Sequence, residues 1–433
     1  MKILIIGGGG REHAMAWKLR QSALVERIWC APGNGGIARE AECVPLDAGN
    51  VTAAADLAGS LSADLTIVGP ELPLVNGIAD EFARRGLAIL GPRKAAAQLE
   101  GSKVISKQFM ERHDIPTAGV HGVFETAEDA YAALDSASWP LVIKADGLCA
   151  GKGVLVASDK KDAANFIERV MEKREFGAAG GRVLLEEGLA GQELSYIVLT
   201  DGENFISLAP TRDHKRAYDN DEGPNTGGMG TYSSDEMLSA ELEREILAAI
   251  VRPTLAGLRK ENMEYRGFLF FGLMLTDNGP KVLEYNCRLG DPETQSILLR
   301  ADFDFARACM EAANGKLDAA QAKWIPGASV CVVIAAEGYP SHPVLGGEIE
   351  GLDEAGRARG AVVFHAGTRM ERGHYYTSGG RILGVGAVGA SLGAANLVAY
   401  DAASRIRIPG AHYRRDIGTS RRVSKAVAEA LNG

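Results

Sequence analysis

The chain has 433 residues, enough for two to four domains at about 150 residues each. Hydrophobic residues make up 46% and charged residues 24%, a balance that excludes a disordered chain. The net charge of −9, with no basic run, argues against an extended nucleic-acid footprint, and no stretch of 18 apolar residues suits a membrane span.

In chain order, residues 2–6 read as a buried strand and 11–20 as a helix. The apolar start is too short for the core of a signal peptide. A second apolar run at 65–68 ends in Gly-Pro-Glu, a helix is expected over 76–85, and a further strand over 87–90 ends in Gly91-Pro92. Such strand–loop–helix alternation predicts a Rossmann-like parallel sheet over 1–101, with ligand loops at the carboxyl ends of its strands. The texture changes at Ser102. A helix over 103–113 precedes strands at 141–144, 154–157, 182–186 and 194–200. A long helical region is expected over 235–261. Strands at 268–275 and 281–286 flank an Asn278-Gly279 hairpin signal. The last hundred residues, with strands at 329–335 and 381–388 and a helix over 394–405, read as a separable α+β domain without a reactive cluster. The reading is therefore an α/β and α+β multidomain protein with units at 1–101, 102–328 and 329–433.

Glycine is overrepresented, with 53 residues, about 12% against roughly 7% on average, and it clusters in loops. The six cysteines show no CxxC or zinc spacing and read as reduced thiols in a cytoplasmic protein.

Four loops carry the chemistry. In the first, Gly7 to Glu12 follows a strand and opens a helix, where free N–H groups and the helix dipole suit a phosphate. Arg11 adds a bidentate donor. Glu12 stands where a dinucleotide fingerprint needs its third glycine, which disfavours a nicotinamide oxidoreductase. Gly33, Asn34, Pro70 and Glu71 follow later strands of the same crevice. The second loop, after Lys144, carries Gly151, Lys152 and Gly153 and suits a mobile cover over a triphosphate, although it lacks a Walker spacing. In the third, Glu284, Asn286 and Arg288 share one strand face. A carboxylate beside an amide oxygen suits Mg²⁺ or Mn²⁺, and Arg288 would meet the anion the metal leaves unneutralised. The fourth joins Asp213 and Lys215 to Asn225, Thr226, Gly227, Gly228, Met229 and Gly230, a glycine-rich backbone able to wrap an anion. For each loop a plain turn or solvated surface remains the bland alternative.

Taken together, GGGGREHA, APGN, TIVGPE, GPRKAAAQLEGSK, VIKADGLCAGKGV, RDHKRAYDNDEGPNTGGMG, EYNCRLGDPETQ and FHAGT resemble, in order and over nearly the whole chain, the glycinamide ribonucleotide synthetases of the ATP-grasp family. The resemblance implies a central ATP-grasp domain with a mobile lid over about 120–190. It implies ligation of glycine to 5-phosphoribosylamine through a glycyl phosphate, with ATP as co-substrate and Mg²⁺ or Mn²⁺ as cofactor, in purine biosynthesis. By motif, Lys103, Lys144, Gly151, Lys152 and Gly153 fall at the nucleotide phosphates. Glu186, Glu187 and Leu189 fall at the adenine and Glu193 at the ribose. Glu284 and Asn286 are the implied metal ligands. Arg288, Asp213 and Lys215 are the implied catalytic groups, which together with the 225–230 loop and Asp291 would hold glycine and the transferring phosphate. Gly9, Gly10, Arg11, Glu12, Gly33, Asn34, Pro70 and Glu71 are implied for phosphoribosylamine.

Gln192, Arg212 and Leu289 depart from the family pattern, and residues 267–276 contain no acid that could complete a two-metal site. A monomer or weak homodimer is expected, with small-molecule partners only and neither nucleic acid nor membrane. The alternative within the superfamily is a carboxylate–amine ligase with another acid or amine. A non-catalytic nucleotide-binding module would be expected to lack Glu284, Asn286 or Lys144.

Overall fold

The apolar run at the amino terminus forms the central strand, Lys2–Gly7, of a five-stranded parallel sheet. Its neighbours are Arg27–Pro32 and then Glu42–Cys43 on one side, Leu65–Val68 and then Ile89–Leu90 on the other. The run does not alternate because both faces of the sheet are covered. Ile3 and Ile5 pack with Met15 and Leu19, whereas Leu4 and Ile6 pack with Leu74 and Phe82. Strand order reverses about the central strand, so the loops following it meet there: Gly33 N–H donates to the Gly7 carbonyl (3.0 Å) and Gly69 N–H to that of Ile6 (2.9 Å). The helix expected over 76–85 is two helices, Glu71–Asn76 and Ile78–Arg84, broken where Gly77 adopts φ 93°.

This computed structural model describes residues 1–149 and 151–419. Its middle third contains two antiparallel sheets. In the first, Val120–Phe124, Val183–Glu187, Leu141–Ala145 and Val154–Ala157 lie side by side over a small core that includes Ile143, Phe166, Ile167 and Leu185. In the second, Phe205–Ser207, Gln192–Thr200, Gly267–Thr276 and Gly279–Asn286 follow in that order. The expected hairpin is present, with Thr276 paired to Gly279 across the two-residue turn. The two sheets meet where Lys144 Nζ donates to the Leu283 carbonyl (2.9 Å) and Thr117 bridges to Val282.

The long helical region is interrupted. It comprises Ala240–Ile246, a wider π-turn at Leu247–Val251, and Arg252–Lys260. Pro253 has no N–H to give to the preceding turn, which accounts for the local change in pitch. The last sheet draws strands from two parts of the chain. Its strands Ala328–Ala335, Arg381–Gly389 and Ala361–His365 are extended by Gly230–Ser234 and Arg212–Asp213, which come from the middle of the chain. Among the described residues no helix is long and apolar enough to cross a membrane.

Candidate active site

Lys144 ends the strand Leu141–Ala145, and its ammonium lies 3.0 Å from Glu186 Oε2. A second lysine, Lys107, approaches Glu186 Oε1 at 3.3 Å and donates to Thr117 Oγ1 (2.7 Å) and the Ala118 carbonyl (3.0 Å). Burial lowers the Lys107 pKa to about 8, with Glu186 opposing that shift. Glu186, expected at the adenine, is thus a 1% exposed carboxylate that holds two lysines. Its neighbour Glu187 points the other way and accepts from Gly119 N–H (2.9 Å) and Lys281 (3.2 Å). Leu189 is half-buried after this strand.

The glycine loop after Lys144 is rooted by Asp146. That carboxylate accepts Ser102 Oγ (2.7 Å) and Val104 N–H (3.2 Å) at the start of the helix Lys103–Arg112, and Arg182 forks onto it. Lys103 Nζ reaches the Gly147 carbonyl at 3.5 Å. Gly151 and Lys152 are exposed, while Gly153 is buried. Glu193, expected at the ribose, is bound by Lys215 Nζ at 2.6 Å. Beside this pair, Arg212 donates to Gln192 Oε1 (2.7 Å), so two departures from the family pattern are partners of one another.

Glu284, Asn286 and Arg288 share a face as the strand alternation predicts, with Arg288 Nη2 3.3 Å from Asn286 Oδ1. Arg288, however, is already neutralised. It meets Glu71 at 3.2 Å and Glu100 at 3.0 Å, and donates to the Leu289 carbonyl (3.1 Å). Burial works to raise the Glu284 pKa, but Lys103, Lys215, Lys144 and Arg288 surround it and hold it below the usual carboxylate range. Three of these cations are also paired elsewhere, Lys144 with Glu186, Lys215 with Glu193 and Arg288 with Glu71 and Glu100. Among the described residues no three His, Cys, Asp or Glu side chains cluster as a metal site.

Asp213 lies on the other side of Lys215. Burial pushes its carboxyl pKa well up, and the Glu293 carboxylate raises it further, against Lys215 and Arg381. Asp213 Oδ1 is sealed from solvent without a hydrogen-bond partner. Glu293, 6% exposed, accepts from Ser195 Oγ (3.1 Å). A Cβ on Gly228 would fall 2.6 Å from Asp213 Oδ1, so the space is closed to any bulkier residue there.

The loop from Asn225 to Gly230 does not wrap an anion with its backbone. Thr226 N–H donates to the Lys215 carbonyl (2.7 Å), Gly227 N–H to Tyr339 Oη (3.0 Å), Gly228 N–H to Thr226 Oγ1 (3.0 Å) and Met229 N–H to the His214 carbonyl (2.8 Å). Gly230 accepts from His214 N–H (2.9 Å), and Asn225 pairs with Arg216. With these donors engaged, the loop is a wall. Arg381, from the last sheet, donates to the Gly227 carbonyl and to that of Asp291 (2.6 Å).

The amino-terminal loops converge as expected, but their groups are committed within the protein. Glu12 Oε2 takes Gly9 N–H (2.5 Å), and Asp291 Oδ2 takes Arg11 N–H (3.3 Å), so two carboxylates occupy the helix start read as a phosphate site. Glu12 folds over Gly69, where a Cβ would lie 1.8 Å from its Oε1. Gly10 is also tight, since a Cβ there would meet Gln295 at 2.6 Å. Arg11, expected as a free donor, is 7% exposed and binds Glu12 Oε1 (2.7 Å) and the Leu289 carbonyl (2.9 Å). Asn34 donates to the Gly8 and His365 carbonyls (2.9 Å each) and accepts from Gly36 and Ile37 N–H (2.9 Å each). The bond to His365 clasps the first sheet to the last, while the other three stay among the amino-terminal loops. Pro70 precedes the helix that carries Glu71, whose pKa Arg288 and Arg11 lower against the effect of burial.

Lys107, Glu100, Glu293 and Arg381 join the site without having been singled out in the sequence. Lys107 had a usable signal, lying four residues after Lys103 on one helix face. Arg381 had none, because its partners are 90 and 154 residues away.

Comparison with known proteins matches residues 1–100 to the N domain of phosphoribosylglycinamide synthetase, residues 101–294 to its ATP-grasp (A) domain and residues 329–420 to its C domain. The phosphoribosylamine–glycine ligase of Allochromatium vinosum is 48% identical over 96% of this chain and 98% of that protein. That of Clostridium acetobutylicum is 46% identical over 97% and 100%. The crystal structure of phosphoribosylamine–glycine ligase from Thermotoga maritima superposes with a TM-score of 0.84 at 35% identity, covering 96% of this chain and all of that one. A biotin carboxylase from Campylobacter jejuni shares the fold, with a TM-score of 0.73 at 17% identity over 95% of this chain and 92% of that one. The chain belongs to the phosphoribosylglycinamide synthetase family of ATP-grasp ligases.

Proposed function

We propose that the chain uses ATP to join the carboxylate of glycine to the amine of 5-phosphoribosylamine, giving glycinamide ribonucleotide, ADP and phosphate. The observation that carries this reading is the Glu284 carboxylate, held ionised and, among the described residues, without a hydrogen bond, with Lys103, Lys144, Lys215 and Arg288 around it. An acyl phosphate reacts readily with an amine because phosphate is a good leaving group, whereas a carboxylate has none, so the γ-phosphoryl group must first pass to the glycine carboxylate. Catalysis of that transfer is mostly positioning and neutralisation of charge.

Glu284 and Asn286 fit a divalent cation: one supplies an unpaired anionic oxygen and the other an amide oxygen, the hard donors that Mg²⁺ or Mn²⁺ takes. Bound there, the ion would neutralise nucleotide phosphates and complete its coordination with phosphate oxygens and water. Lys144, held by Glu186, and Lys103 would meet the phosphates from the lid side. Asp213 and Glu293 are the acidic groups suited to the glycine ammonium. Arg381 is placed to face the opposite charge on the amino acid. The amine of phosphoribosylamine then attacks the acyl carbon of glycyl phosphate and phosphate leaves.

A coupled assay for ADP that omits glycine, phosphoribosylamine and ATP in turn tests the proposal. ADP release should need all three, and substituting alanine for glycine should lower the rate sharply. Equal turnover with a larger amino acid, or with another amine in place of phosphoribosylamine, would assign the chain to a different ligase.

A further inference from the structure

The hairpin of Arg216–Tyr218 and Glu222–Asn225 links Lys215 to the 225–230 wall, yet its pairing is short and shifts register between Arg216 and Tyr218. At its turn, Asn220 and Asp221 both hold left-handed backbone, φ 61° and 57°, which residues with a Cβ adopt at a cost. Such a hairpin needs support from outside. The support comes from residues 412–418.

Arg414, 1% exposed, donates from Nη1 to Asp221 Oδ1 (2.8 Å) and to the Arg216 carbonyl (3.1 Å). Its Nε and Nη2 fork onto Asp416 at 2.8 and 2.7 Å, and Asp416 accepts Asn220 N–H (2.9 Å). Arg415 N–H binds Asp219 (2.7 Å), and Gly418 N–H binds His214 Nε2 (3.1 Å). The segment is itself fixed to the helix Leu392–Ser404. Tyr400 donates to the Arg414 carbonyl (3.0 Å) and accepts Ile417 N–H (3.0 Å), and Asn396 donates to the Ile417 carbonyl (3.1 Å). Lys215 therefore sits between two residues, His214 and Arg216, that one rigid segment grips.

We infer that Arg414 is a positioning residue for the ligase reaction: it holds the Arg216 carbonyl on one side of Lys215 while Gly418 holds the His214 ring on the other, and so sets where that ammonium meets the nucleotide. The inference rests on the place given above to Lys215 among the cations around Glu284, and takes that ammonium to meet the nucleotide phosphates there. The Lys215 side chain is flexible, so its charge can be delivered to one place only if its backbone cannot drift.

The test compares Arg414→Gln, Arg414→Lys, Asp221→Asn and Lys215→Ala in the full-length protein. Arg414→Gln should lower kcat/KM for ATP about tenfold, short of the roughly hundredfold that a 1 Å misplacement of a reacting group can cost. The KM for phosphoribosylamine should stay unchanged, and amide exchange across 216–225 should quicken. Arg414→Lys should recover part of the loss. If Arg414→Gln fails to fold, Asp221→Asn decides, because that side chain is 69% exposed and its change opens no core. It should show a smaller fall of the same kind. Wild-type kinetics in Asp221→Asn and Arg414→Gln, alongside a crippled Lys215→Ala, would overturn the inference, as would an equal loss toward all three substrates. Wild-type ATP kinetics in Lys215→Ala would instead overturn the placement of Lys215 itself.

Discussion

Asp213→Asn should make the protein a worse enzyme without making it a weaker fold. Burial and the Glu293 carboxylate both raise the Asp213 pKa, so ionising this group costs more in the folded state than in the unfolded chain. The sign is that of a raised acid: stability falls as pH climbs from the ordinary aspartate value through the folded one. Asparagine keeps the shape and removes the charge, so the variant should resist urea at least as well as the parent at pH 7.5, and its advantage should vanish near pH 4. Glycine binding should move the other way. A charge-assisted hydrogen bond to an ammonium is worth roughly 1.5–3 kcal/mol, which is about ten- to a hundredfold in kcat/KM for glycine. The KM for ATP should hardly change. Urea midpoints at the two pH values and a glycine titration of ADP release provide the measurements. A destabilised variant with an unaltered glycine KM would show that Asp213 is a structural carboxylate and that the ammonium pocket lies elsewhere.

Glu284→Gln should abolish most turnover at saturating Mg²⁺ while metal-free ATP, followed by calorimetry, binds at least as tightly, because one anion leaves a ring of four cations; near-normal turnover would place the metal elsewhere. Arg11→Ala should cost about 3–5 kcal/mol in urea titrations by stranding buried Glu12 and the Leu289 carbonyl. A selective rise in the phosphoribosylamine KM at unchanged stability would mean that Arg11 turns outward to the phosphate. His13, 5% exposed, accepts His365 N–H at 2.7 Å, and burial lowers its pKa from 6.5 to about 4. The unfolded chain therefore takes up this proton first, and stability should decline from pH 6.5 to about 4 by as much as ~3 kcal/mol for this group. Urea midpoints of His13→Gln should show a shallower decline; an identical slope would refute the assignment.

Elements whose signal is local were legible in the sequence. The run at 3–6, the 276–279 hairpin and the shared face of Glu284, Asn286 and Arg288 follow from short-range patterning alone. The amino-terminal loops do meet at one edge, because parallel strands put their following loops there. What each atom does there was not legible. Arg11, Asn34 and the 225–230 backbone look like free donors until their acceptors, up to 331 residues away, are in place. Glu186 looks like a strand-end acid until Lys107 and Lys144 arrive from two other elements. The pairing of Gly230–Ser234 with Ala328–Ala335 was equally hidden, since strand propensity says nothing about which strand lies alongside.

That pairing sets an order of events during synthesis. Gly230–Ser234 emerges from the ribosome 94 residues before Ala328, the interval from residue 234 to residue 328, and at about 5–20 residues per second it waits roughly 5–20 s for its partner. Arg381 appears later still. Until then the nascent chain carries a nucleotide cleft with one wall missing and an open strand edge beside it. The interval is one in which a chaperone or an edge-binding peptide could intervene. A ribosome stalled between the two strands would expose a chain that has its lysines but not its site.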